Sequence, residues 1–210
     1  MFQMLLNGQV SGDFSAKHRI NGIIGESALL KIEGFDFIRA FVPEYMHCVC
    51  LGVIRYFLLL WWTATKTDPR YIGDESATLN LRLNNVKPPY EISRITDSFD
   101  KIHYWKASEF RSFALFYYPI LKGILPEPFY SHFEFLCYLL YILLQETVPK
   151  STVRKTQIVL DHFVRETSYL YGDHHVTYNI HMLTHLPKSV LDWGCLWATL
   201  VSFQNGLMVN

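Results

Sequence analysis

A mainly α-helical, bundle-like domain is predicted by three stretches of this sequence. Between residues 43 and 65 the apolar positions Met46, Val49, Cys50, Val53, Ile54, Phe57, Leu58 and Trp61 recur at intervals of three and four, the spacing of one helical face. Residues 126–146 are apolar nearly all round, as in a helix covered on several sides. Residues 151–171 separate Val153, Val159, Phe163, Val164 and Leu170 from Lys155, Asp161, Arg165 and Glu166, as a surface helix does.

In chain order, the polar, glycine-containing residues 8–17 form a loose lead, and Asn21, Gly22 and Gly25 mark turns. Residues 28–32 suit either a strand or a helix start. Phe35, Phe37 and Ile38 alternate like a half-buried strand. Pro43 then fits the first turn of a helix, because its missing N–H would be unpaired there. Glu44 falls in that turn, where the helix dipole favours a carboxylate, and His47 shares its face. Residues 67–70, Thr-Asp-Pro-Arg, end this helix.

A second helix is expected over residues 75–86, carrying Leu79, Leu81, Leu83 and Val86 and stopped by Pro88 and Pro89. Residues 93–103 read as an irregular connector. Residues 106–118 place Ala107, Phe110, Phe113, Ala114 and Tyr117 on one face, with Pro119 as a kink or stop. Gly172 suits a left-handed C-cap for the helix over 151–171. A further helix starts near Tyr178 and is kinked or ended by Pro187, and Gly194 precedes a final apolar run. The periodicity gives about six helices, with one or two short strands at most. No repeat of 20 to 50 residues and no low-complexity tract occurs. We therefore divide the chain into a loosely structured leader, 1–33, and a single helical domain, 34–210.

Composition narrows the function. Half of the 210 residues are hydrophobic and 16% are aromatic, which is ample for a core. The 19 basic and 19 acidic residues cancel, so the chain lacks the overall positive charge of a nucleic-acid-binding domain, and any DNA contact must use a local patch. The four cysteines, Cys48, Cys50, Cys137 and Cys195, are unevenly spread and point to a reducing, intracellular compartment. The longest apolar runs, 51–62 and 133–144, fall short of the roughly 20 residues a bilayer demands, so no membrane partner is expected. Phosphate loops of the G-x-x-x-x-G-K type and G-x-S-x-G elbows are absent.

Five blocks carry a family resemblance. Residues 42–53, Val-Pro-Glu-Tyr-Met-His-Cys-Val-Cys-Leu-Gly-Val, resemble the Asp-x-Met-His segment of CACTA (EnSpm-type) DNA transposases and of animal proteins derived from such transposons. Residues 21–27, 104–113, 177–186, and 193–197 with 202–205 agree in order with the same family, so the resemblance covers most of the chain. It implies that the helical block is an insertion in an RNase H-like transposase core, of which the strand before Pro43 and a short piece after Cys195 would be the residue. It also implies DNA or other transposase-like subunits as partners, and a nuclear location.

Such transposases hold two divalent cations on three carboxylates. Here the family's Asp position is Glu44, one methylene longer, and its Phe-Glu-Asn stretch reads Phe203-Gln204-Asn205. Glu44, His47 and Gln204 are therefore candidates for a vestigial site, and Glu44 as a helix cap beside His47 is the competing reading. The expectation is an inactive descendant with no cofactor, and Mg²⁺ only if activity persists. No small-molecule cofactor is implied.

His47, Cys48 and Cys50 are all metal donors, but two residues on a helix lie about 200° apart, so buried cysteines are the preferred reading. His181 and His185 have the spacing of a zinc-peptidase pair, but Met182 stands where the general-base glutamate belongs. Lys106 and Arg111 are the candidate DNA contacts, against a solvated face beside a buried Trp105. Residues 151–155 and Arg165 could also touch phosphates, although Asp161 and Glu166 favour an ordinary solvated face. A different class of function, an α-helical protein-interaction module with no nucleic-acid role, accounts for the same aromatic content.

Overall fold

The computed structural model describes residues 31–33, 43–90 and 96–199. The chain divides into two compact units, Met1–Val42 and Pro43–Asn210. The strand expected at Phe35–Phe37–Ile38 and most of the expected leader lie outside the described residues. In the second unit the fold is mainly α, as predicted, with seven α-helices among the described residues. The β-like feature there is an isolated bridge between Lys122 and Leu125. Where a residual strand was expected after Cys195, Leu196–Thr199 forms a 3₁₀ turn.

Helix α1 is the continuous apolar span Tyr45–Trp62, wound as a π-helix over Tyr45–Ile54 and as an α-helix over Arg55–Trp62. The π half is covered by α3 (Ala107–Ser112) and by α6 (Tyr178–Met182). Because both neighbours cover it, Cys48 and Cys50 are each buried. Ordinary cysteine burial thus accounts for a pair that two-residue spacing directs to different neighbours.

Helix α2 is Ser76–Asn85, with Leu79 and Leu83 buried. Leu81, counted among its apolar positions, is 65% exposed. Two positions from either inward leucine, it falls on the far side of the helix. Arg82 fastens α2 by donating to the carbonyls of Ile120 and Lys122 at 2.7 and 2.8 Å. Asn80 accepts from the Phe99 amide, and its own amide donates to Asp100. The connector at Phe99–Tyr104 is a 3₁₀ turn capped by Ser98. Beyond α3 the chain tightens through a π turn, Phe113–Tyr117, and a 3₁₀ turn, Tyr118–Leu121, containing Pro119.

Helices α4 (Glu127–Leu143) and α5 (Lys150–Tyr171) pack together, and α7 (Leu186–Trp193) lies on α5. The inward row of α5 is Val153, Thr156, Leu160, Phe163, Thr167 and Tyr171, while Val159, Val164 and Leu170 flank it half-buried. Thr156 and Thr167 sit in this apolar row because each hydroxyl donates to a carbonyl of its own helix, at 2.7 and 2.9 Å, which removes the cost of burying it. Gly172 ends α5 at φ +98, a conformation that favours glycine. Pro187 does not end a helix: after the 3₁₀ turn Leu183–His185 it lies in the first turn of α7, where it lacks nothing the helix needs.

The core is aromatic. Phe57 of α1 is its hub, with ring centroids 5.2 Å from Tyr171, 5.8 Å from Trp61, 5.9 Å from His132 and 6.2 Å from Phe133. A second cluster joins Phe99 to Trp62, Trp105 and Phe113 at 5.3 to 5.7 Å. Trp105 is 4% exposed, and its indole donates to the Ser98 carbonyl.

Candidate functional site

The start of α1 is where the resemblance places an acid. Helix α1 begins at Tyr45, so Glu44 is its N-cap residue, extended at φ −74 and ψ 126, and Pro43 precedes the helix instead of opening it. The Glu44 carboxylate accepts from the amides of Met46 at 2.9 Å and His47 at 2.7 Å, satisfying two donors that the helix start leaves open. Its Oε2 also lies 2.5 Å from His47 Nδ1. Both carboxylate oxygens are thus engaged by α1 itself. His47 is largely in solvent, with 73% of its side chain exposed against 19% for Glu44.

The capping role of Glu44, the competing reading of this residue, is therefore the one its hydrogen bonds describe. Gln204, with Phe203 and Asn205, lies outside the described residues. Cys48 and Cys50 are buried free thiols. Burial pushes the Cys48 thiol up to about 11, with the Glu44 charge adding to it, and burial pushes Cys50 up to about 12. Both are therefore protonated at neutral pH, as buried thiols are. Cys48 Sγ lies 3.8 Å from the Asn179 carbonyl.

The two proposed phosphate contacts do not share a setting. Lys106 is exposed just before α3, its amide held by the Glu109 carboxylate at 2.7 Å. Arg111 is half-buried on α3, and its charge acts on the Tyr45 hydroxyl and the Cys50 thiol. His181 and His185 do meet, with rings 5.3 Å apart, although His185 belongs to the 3₁₀ turn after α6. Burial lowers the His185 pKa, and the neighbouring His181 lowers it further. Among the described residues no group of three or more His, Cys, Asp or Glu side chains is placed to hold a metal.

A cluster that sequence reading missed lies farther along α1. Tyr56 Oη is 2.6 Å from His175 Nδ1, joining α1 to the turn after α5. Beside it Arg70 grips Asp68 through Nε at 2.8 Å and Nη2 at 2.6 Å, and its guanidinium lies over the Tyr171 and Phe129 rings at 5.7 and 5.9 Å. Burial, then His174 and Arg70, lower the His175 pKa, and Asp68 partly offsets them. Burial also raises the Tyr56 pKa. A phenol held protonated against a neutral imidazole forms a structural hydrogen bond and is a weak nucleophile. The available sequence signal was the Asp173-His174-His175 run after the Gly172 cap. Nothing in it named Tyr56, 119 residues away, as the partner.

Compared with protein-family models, with curated proteins and with solved structures, the chain matches none.

Proposed function

We propose that this chain is a transposase-derived binding module: a descendant of the helical part of a CACTA-type transposase core that works by binding and does no phosphodiester chemistry. The observation that carries the reading is the state of Glu44. The acid at the family's Asp-x-Met-His position spends both carboxylate oxygens on the Met46 and His47 amides and the His47 imidazole. A carboxylate committed to capping contributes little to two cations that must be gripped from several acids at once. The longer glutamate side chain supports this, since it reaches back to its own helix start.

Nicking and strand-transfer assays with Mg²⁺ or Mn²⁺ test the proposal. The expected result is no product; activity lost on Glu44→Ala would overturn it. In this reading DNA or transposase-like subunits are the partners, the compartment is intracellular and includes the nucleus, and no cofactor is used. Mg²⁺ enters only if strand transfer is found.

A second reading, a protein-interaction module with no nucleic-acid role, is favoured by the exposed aromatic side chains. Tyr90, Tyr104 and Tyr169 are more than four-fifths exposed, and Trp193 is 57% exposed. The half-buried position of Arg111 and the zero net charge point the same way. Binding to duplex DNA at rising salt separates the two. Affinity that falls steeply with salt supports contact with nucleic acid, and no binding at low salt supports the protein-only module.

A further inference from the structure

Helix α1 is more apolar than its burial requires. Tyr45–Trp62 has a mean hydropathy of 1.4, as high as that of a membrane span, yet only half of it is buried. Along part of the remainder, Leu51, Arg55 and Leu59 follow one another at four-residue intervals. They line an open groove of about 360 Å³ with Gly52, Leu60 and Asn179. Gly52 sets the wall, for a Cβ there would lie 2.5 Å from the Asn179 amide nitrogen, so α6 stands against α1 at this point. Three leucines line the groove together with Tyr56 and Thr63, and its one ionic side chain is the Arg55 guanidinium. Among the described residues no carboxylate pairs with Arg55 and none lines the groove.

We propose that this groove docks an amphipathic helix of a partner protein, with leucine-type side chains against Leu51, Leu59 and Leu60 and one Asp or Glu carboxylate on Arg55. The lining runs from Leu51 to Thr63, about 18 Å at 1.5 Å per residue, which matches about three turns of a partner helix. An unpaired guanidinium within an apolar groove recruits a carboxylate, since the pair it forms is bidentate and shielded from water. A bilayer suits the site poorly: the same helix has its other face committed to the Phe57 core, and Arg55 stands at the middle of the apolar surface. The inference rests on the reading that the chain works by binding.

The test is selection from a displayed library of 16-residue helical peptides on the full chain, followed by affinity measurement of the enriched peptides on Arg55→Gln and Arg55→Glu. Circular dichroism and thermal melting of both variants come first, and unchanged folding is expected because Arg55 is half-exposed. Enriched peptides are expected to carry Asp or Glu three or four residues from leucine anchors. They should bind Arg55→Glu about tenfold to a hundredfold more weakly than the unaltered chain, the loss of one charged hydrogen-bonded contact. Selection on Arg55→Glu should enrich Lys or Arg at the same position. No enrichment, equal affinity for the chain and Arg55→Glu, or binding of phosphatidylserine vesicles in place of peptides would overturn the groove. The strand-transfer result stands apart from all three, so failure of the groove and failure of the inactive-transposase reading are distinguishable.

Discussion

His132 gives the most direct check on the core. It is 3% exposed on α4, stacked on Phe163 with ring centroids 4.0 Å apart, and its Nε2 lies 3.2 Å from both the Phe163 carbonyl and the Thr167 hydroxyl. Thr167 donates to Phe163, so Nε2 carries the ring proton and Nδ1 is a buried acceptor. Burial lowers the His132 pKa from 6.5 to about 4. Protonation thus favours the unfolded chain, and the stability that neutral His132 confers is complete above about pH 6.5 and is lost as the pH falls toward 4. At 1.36 kcal/mol per unit, this group alone removes about 2 kcal/mol by pH 5 and about 3 kcal/mol by pH 4. His175 and His185 shift in the same direction and steepen the same limb, whereas Asp68, Asp97 and Asp100, whose pKa values are lowered, add losses below the usual carboxylate range. Urea unfolding at a series of pH values measures the effect, with His132→Phe keeping the stack on Phe163. The variant's stability should fall less than the unaltered chain's between pH 7 and 4, by about 3 kcal/mol. Parallel curves would refute the burial argument.

Three further outcomes are expected. Glu44→Ala should cost about 1 kcal/mol by losing the cap of α1, while Glu44→Ser should restore most of it, because a serine hydroxyl also caps; equal losses in urea titration would show that capping is not what Glu44 does. Gly52→Ala should destabilise by about 1 to 3 kcal/mol through its clash with Asn179, and Asn179→Ala should relieve part of that in a double-mutant cycle. Of the four thiols, Cys195 alone is half-exposed, so a thiol reagent at pH 8 should modify it first, with Cys48, Cys50 and Cys137 following only on denaturation. Fast modification of Cys48 would contradict its raised pKa.

The segments that could be read from the sequence are those whose apolar pattern is local and continuous. The helix at Tyr45–Trp62 appeared as three-and-four spacing, Glu127–Leu143 as an almost wholly apolar run and Lys150–Tyr171 as a segregation of apolar from charged positions closed by Gly172. The nearness of Glu44 to His47 was also legible, since an acid at a helix start lies within reach of the residue three positions on, although the contact is made by a cap and not along a helical face. Sequence alone therefore determined that the chain builds a helical domain around a very apolar first helix, because local periodicity and capping depend on near neighbours. It left open whether Glu44 caps or ligates, because both roles use the same carboxylate at the same position. Only the tertiary structure decided that α1 lies between α3 and α6, that His132 shares a core with Phe57 and Thr167, and that Tyr56 meets His175. Those contacts join residues from about 30 to more than 100 positions apart, and packing, which no local pattern encodes, chooses between them.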